Sequence, residues 1–357
     1  NDADATAITA TELSAIGSAT TGTVTVTNAV AITGDHDQVT AALVTGGTKV
    51  EVTDAAVTIN DADATGITAA ELSAIGSATT GTVTVTNAIA ITGDHDQLTA
   101  ALVTNGSKVE VSDATATIND ADATAITAAE LSAIGGATTG TVTVTNAVAV
   151  TGSTAELTAA LVTAGTKVEV TDATATINDA DGVAVTAAEL TAIRSATTGT
   201  VTVTNAMAIT GDHDQLTAVL VTANTKVEVT DVTATINDAD STAITAAELS
   251  AIGGATTGTV TVTNAVAITG DHDQLTAALV TAGTKVSVSD AAVTINDADA
   301  TAIAATELSA IGNATTGTVT VTNAVAITGD HDQLTAALVT EGTKVEVSDA
   351  TATVNDA

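Results

Sequence analysis

The chain has 357 residues, contains no Phe, Trp, Tyr, Pro or Cys and a single Met, and carries a formal charge of −35. Without cysteine it has neither a disulfide framework nor a thiolate metal site, and without aromatic residues it lacks the large side chains that fill an ordinary globular core. Its acidity makes nucleic acid and anionic membrane poor partners, no apolar run is long enough for membrane insertion, and a regular pattern that is 45% hydrophobic argues against an acidic disordered segment.

Self-similarity organises the rest. Units open at Asn1, Asn60, Asn119, Asn178, Asn237 and Asn296, and Asn355 restarts the pattern, giving repeats 1–59, 60–118, 119–177, 178–236, 237–295 and 296–354 with no insertion, deletion or linker. Tandem globular domains drift in loop length, whereas stacked coils must keep register with both neighbours. Residues 1–357 are therefore expected to form one continuous solenoid. The chain starts at Asn1 rather than Met and stops partway into a unit, so it reads as a window from a longer array, with targeting signals outside it.

Each unit opens with "NDAD", recurring as Asn1, Asp2 and Asp4; Asn60, Asp61 and Asp63; Asn119, Asp120 and Asp122; Asn178, Asp179 and Asp181; Asn237, Asp238 and Asp240; and Asn296, Asp297 and Asp299. Carboxylates and amides two residues apart in a loop are the hard oxygen donors that calcium takes, which makes these eighteen residues the candidate metal ligands. The glycine and the bidentate glutamate of an EF-hand loop are absent, and the alternative is a solvated polar loop before the next helix. No other cofactor is indicated.

"ELSAIG" then places apolar residues at helical spacing, after a capping box from Thr9 to Glu12. "TVTVTN" alternates as a half-buried strand, with Val24 and Val26 inward, and Val30 and Ile32 continue as a second short strand. Asp35-His36-Asp37-Gln38 opens the second helix. The second strand, "KVEVTD", puts Val50 and Val52 inward, and Val57 and Ile59 follow. The expected inward set is Leu13, Ile16, Val24, Val26, Ile32, Val39, Leu43, Val50 and Val52, with equivalents at every repeat.

Aligning the halves matches Leu13 to Val39 and Val24 to Val50 at an offset of 26, while the return from Asp54 to Asn87 is 33. The expected fold is a repeat solenoid: a right-handed parallel β-solenoid with a short helix per coil and two coils per 59-residue repeat, one of 26 residues and one of 33. On this scheme Thr-rich strands alternate with strands carrying Lys49 and Glu51, which interrupts any flat threonine row of the kind that binds ice.

The Asp-His-Asp motif recurs at 35–37, 94–96, 212–214, 271–273 and 330–332, but the third repeat has Ser153-Thr154-Ala155-Glu156 there. What persists is a helix cap, so the motif reads as a capping box. Metal ligation by Asp-His-Asp is disfavoured, since neighbouring residues at a helix start point in different directions and three or four converging ligands are needed. Copies one repeat apart, about 9.6 Å at a strand spacing of about 4.8 Å, cannot share an ion. Near-identical sites without a pocket-forming irregularity do not resemble an active site, and no enzymatic activity is expected.

The segments "GSTAELTAAL" and "ITAAELSAIGGATTGTVTVTNAVAVTG" resemble repeats of very long bacterial surface proteins, among them cyanobacterial and other Gram-negative adhesin-like or sheath-forming chains. The resemblance spans the whole chain and rests on motifs of low complexity. It implies secretion to the cell surface or extracellular matrix, and often calcium dependence, although the nonapeptide glycine–aspartate calcium repeats of such chains are absent. The expected function is a non-enzymatic, extracellular rigid stalk, sheath or filament that associates with copies of itself. The competing function is an adhesin-type module for glycan, mineral or ice.

Overall fold

The computed structural model describes residues 2–225, 227–343 and 345–356. The chain divides into two compact units, Asn1–Thr176 with Ala196–Thr200, and Ile177–Ser195 with Val201–Ala357. Each is a stack of strand–helix coils with parallel pairing, the architecture of a repeat solenoid, and the described residues contain twelve helices, two per 59-residue repeat.

In the first unit the elements run β1 (Ala7–Thr9), α1 (Ala10–Ser18), β2 (Val24–Val26), β3 (Ala31–Gly34), α2 (His36–Leu43), β4 (Val50–Val52), β5 (Ala56–Ile59), β6 (Gly66–Thr68), α3 (Ala69–Ser77), β7 (Val83–Val85), β8 (Ala90–Gly93), α4 (His95–Leu102), β9 (Val109–Glu110), β10 (Thr115–Ile118), β11 (Ala125–Thr127), α5 (Ala128–Gly135), β12 (Val142–Val144), β13 (Ala149–Gly152), α6 (Thr154–Leu161) and β14 (Val168–Glu169). Short helices persist because each is capped at its start. Thr9, Thr68 and Thr127 cap the first helix of their repeats, and Asp35, Asp94 and Ser153 the second, each with a Glu or Gln three residues on that reaches back.

The ladders differ from the 26-plus-33 scheme. One parallel sheet runs β1-β3-β5-β7-β9 and matches Ile8, Ile32, Val57, Val83 and Val109, with steps of 24, 25, 26 and 26 residues. The next runs β6-β8-β10-β12-β14 through Ile67, Ile91, Ala116, Val142 and Val168 with the same steps. Val24 does pair with Val50 as expected, but Val83 pairs with Val57 rather than Val50. The seven-residue difference between 33 and 26 is the distance from β4 to β5, so the sheet passes from the strand after one helix to the strand before the next. The extra residues of each repeat are the turn and strand β6, which open a new sheet. The second unit repeats this pattern through Val185, Ile209, Ala234, Val260 and Val286.

This stagger changes the outward face as well. The ladder outside the first sheet is Thr9, Thr33, Thr58, Thr84 and then Glu110, four consecutive threonines rather than threonine alternating with charge. The inner face is aliphatic. Leu13, Ile32, Val39, Leu43 and Val50 are buried as expected, and so are Ile75, Val83 and Val85. Their first-repeat equivalents depart from expectation: Ile16 is 51% exposed, and Val24 and Val26 are half-buried. Val52 is half-buried too, as are Val111 and Val170. Strands β9 and β14 stop at Glu110 and Glu169, so the following valine lies past the sheet and is only partly covered.

With no aromatic residues available, burial depends on close backbone approach. A Cβ on Gly76 of α3 would sit 2.0 Å from the Ser107 carbonyl oxygen, and one on Gly135 of α5 would sit 2.1 Å from that of Thr166. The threonines of "ATTG" tie one coil to the previous one: Thr79 Oγ1 donates to the Ala55 carbonyl at 2.7 Å, and Thr80 Oγ1 to that of Thr53 at 2.8 Å.

Candidate functional site

The two motifs that the sequence presents separately meet in the fold. Asp35 caps α2, accepting from the Gln38 N–H at 2.8 Å while Gln38 Oε1 accepts from the Asp35 N–H at 3.4 Å. This places His36 in the first turn with its backbone N–H and its ring on the same side. Asp61, the second residue of the next repeat's NDAD, receives both: the His36 N–H donates to Oδ2 at 2.7 Å, and Nδ1 lies 2.6 Å from Oδ1. The facing carboxylate accepts, so Nδ1 carries a proton. His95 with Asp120, His213 with Asp238 and His272 with Asp297 repeat the arrangement. His331 and Asp356 form a more exposed version at 3.0 Å.

The aspartate is fixed from behind. Asn87 Nδ2 donates to the Asp61 carbonyl at 2.5 Å, and Asn146 does the same to Asp120. The tip of the turn is held in the left-handed region by Ala64 at φ +61°, Ala123 at +61°, Ser241 at +66° and Ala300 at +63°, whereas the fourth repeat has Gly182 at +74°. The Ala64 N–H reaches the Ala88 carbonyl at 2.7 Å, locking the turn to the following coil.

These contacts set the electrostatics. The Asp61 side chain is 5% exposed and that of His36 13%. Burial pulls the His36 ring towards neutrality, but the hydrogen bond and charge of Asp61, with Asp37 and Glu71 nearby, outweigh it and raise its pKa above 6.5. His95 and His213 are raised by the same balance. Glu71, Glu130 and Glu248 are held below 4.5, first by the hydroxyls and then by the amides of the threonines they bridge in their capping boxes.

The NDAD side chains are drawn to opposite neighbours. Asp61, Asp120, Asp238 and Asp297 turn to the histidine of the preceding coil. Asp63, Asp122, Asp181, Asp240 and Asp299 accept backbone N–H groups of the following coil, from Ala88, Ala147, Ala206, Ala265 and Ala324. Asn60, Asn119, Asn237 and Asn296 are tied through their backbone N–H to glycine carbonyls of the preceding coil. Asp2 and Asp4 are exposed, and Asn1 lies outside the described residues. Among the described residues, the group of three His, Asp or Glu side chains whose ligand atoms converge is His272, Asp273 and Glu307, and no NDAD residue takes part.

The signal for the His–Asp joint was in the spacing. His36 and Asp61 are 25 residues apart, the same step as Ala31 to Ala56 in the β3–β5 pairing. Without knowing which strands pair, that number carries no meaning. No family model, curated protein or solved structure matches the chain.

Proposed function

We propose that the chain is a non-enzymatic, extracellular structural repeat protein whose coils build a rigid stalk, sheath or filament through association with further copies of the same coil. The observation that carries this reading is the repetition of one joint: His to Asp at near-equal distances between four pairs of coils, Asn to the backbone of the same Asp, and Thr to the previous strand, with the Asn contact kept at Asp179, where the third repeat has Thr154 in place of the histidine. Such uniformity fits a mechanical role, in which every coil bears the same load, better than chemistry localised at one coil.

Self-association follows from coil surfaces that are complementary to one another, and the acidic exterior means that lateral contact between copies strengthens with salt or divalent cations. Sedimentation velocity and electron microscopy of the purified chain at low and high salt test this. Rods that lengthen or bundle with salt support the reading, and monodisperse single chains under both conditions overturn it.

An adhesin-type binding module is the second reading. It is favoured by two equivalent concavities, of about 460 and 540 Å³, where the third and fifth repeats carry a second glycine: Gly135 and Gly136 beside Thr138, Thr139 and Lys167, and Gly253 and Gly254 beside Thr256, Thr257 and Lys285. Retention of the chain on a glycan or mineral surface, lost on substitution of both lysines, would select it.

A further inference from the structure

We propose that His272, Asp273 and Glu307 form a binding site for one divalent transition metal ion, with zinc as the best fit. One nitrogen or oxygen from each of the three lies within 4.8 Å of the others, and His272 Nε2 is 3.6 Å from Asp273 Oδ1. Zinc bound at 2.0–2.2 Å to nitrogen and oxygen holds its ligands roughly 3.3–3.6 Å apart, so the histidine and the aspartate already stand at that separation and Glu307 needs only a short approach.

The imidazole is oriented for this. Its Nδ1 is taken by the carboxylate of Asp297, at 2.6 Å and nearly buried, and Asp297 also accepts the His272 backbone N–H at 2.8 Å. That contact leaves Nε2 as the outward ring nitrogen. A carboxylate behind a metal-binding histidine fixes its tautomer and strengthens it as a donor. One imidazole and two carboxylates suit a borderline cation better than calcium, which takes oxygen alone, and water completes the coordination. Both helix starts oppose a cation there, but the carboxylates of Asp273 and Glu307 and the net charge of the chain offset this.

The site belongs to one repeat for a reason visible in the sequence. In other repeats the capping glutamate is held at one oxygen by both a threonine hydroxyl and a backbone N–H: Thr245 Oγ1 donates to Glu248 Oε2 at 2.7 Å and the Thr245 N–H at 2.8 Å. The sixth repeat has Ala304 there, so Glu307 Oε2 keeps the backbone N–H, at 2.9 Å, and has no hydroxyl to hold it. Its carboxylate has one tie fewer than the others, and a ligand oxygen of it lies within 4.8 Å of those of His272 and Asp273. The third ligand thus comes from the next repeat, which Asp-His-Asp alone could not supply.

The chelator-stripped 357-residue chain titrated with Zn²⁺ in a calorimeter, and with Co²⁺ followed by visible absorption, tests the site. The expected result is one site of highest affinity per chain, weakened at least tenfold by His272→Gln and by Glu307→Gln, weakened several-fold by Ala304→Thr, and unchanged by His95→Gln. Glu307→Gln keeps an amide oxygen for the cap, as Gln274 provides at its own helix, so the fold is retained and circular dichroism checks it. Absence of zinc binding, equal affinity in Glu307→Gln, or five equivalent sites each removed with its own histidine would overturn the proposal.

Discussion

His95 reaches Asp120 twice: its backbone N–H donates to Oδ2 at 2.7 Å, and its ring Nδ1 lies 2.7 Å from Oδ1. One carboxylate therefore satisfies two donors from the previous coil while its own main chain is held by Asn146, and the joint couples three consecutive segments of the stack.

Asp120→Ala is expected to be among the most damaging single polar substitutions in the first unit. It leaves a partly buried N–H without an acceptor, at a cost on the order of 1 kcal/mol, whereas Asp120→Asn keeps one acceptor and costs less. Urea unfolding of the two variants, with hydrogen exchange at the start of α4, reads the difference. Equal midpoints for Asp120→Ala and the parent chain would remove the joint from the account.

Stability should also fall as the solution becomes alkaline. His36, His95 and His213 have folded pKa values above 6.5, so their contribution is complete below the unfolded value and is lost as pH rises through the folded value. Glu71, Glu130 and Glu248 work in the opposite sense: their contribution is present above 4.5 and is lost as pH falls through their lowered folded values. Unfolding midpoints measured in chelator should therefore peak between these limits, and replacing the three histidines with Gln should reduce the fall on the alkaline side more than that on the acidic side.

Each second helix of the first five repeats buries a threonine hydroxyl with no partner among the described residues: Thr40, Thr99, Thr158, Thr217 and Thr276. Valine has the same shape without the polar atom. Thr99→Val is expected to stabilise by about 1 kcal/mol, since the desolvation cost of the hydroxyl disappears. Thermal melting of Thr99→Val and of the Thr40→Val, Thr99→Val pair should show increments that add, as the two sites lie a full repeat apart. A fall in stability would mean that the hydroxyl has a role in the folded chain.

Ala123 occupies the left-handed region at φ +61°, which costs an L-residue about 1–2 kcal/mol. Glycine removes that cost and adds roughly 0.5–1 kcal/mol of backbone entropy in the unfolded chain. Ala123→Gly should therefore stabilise slightly, by about 0.5 kcal/mol, while Gly182→Ala at the equivalent turn should destabilise. The pair of melting curves checks both signs.

Local chemistry was legible from the letters alone. The 59-residue period is read from the self-similarity of the chain, and the capping boxes at Thr68 and Asp94, the short strands and the buried Leu72 and Val83 follow from patterns within a few residues, because caps and alternation are decided by neighbours three or two positions away. The strand partners were not legible. Val50 and Val57 are equally apolar and both stand in alternating segments, so nothing local says which of them meets Val83, and the tertiary structure decides for Val57. That choice sets the outward threonine ladder, brings His36 to Asp61 across 25 residues, and delivers Glu307 to His272 across 35. These contacts arise where two coils must pack and satisfy their polar groups together, and only the stacked chain imposes that condition.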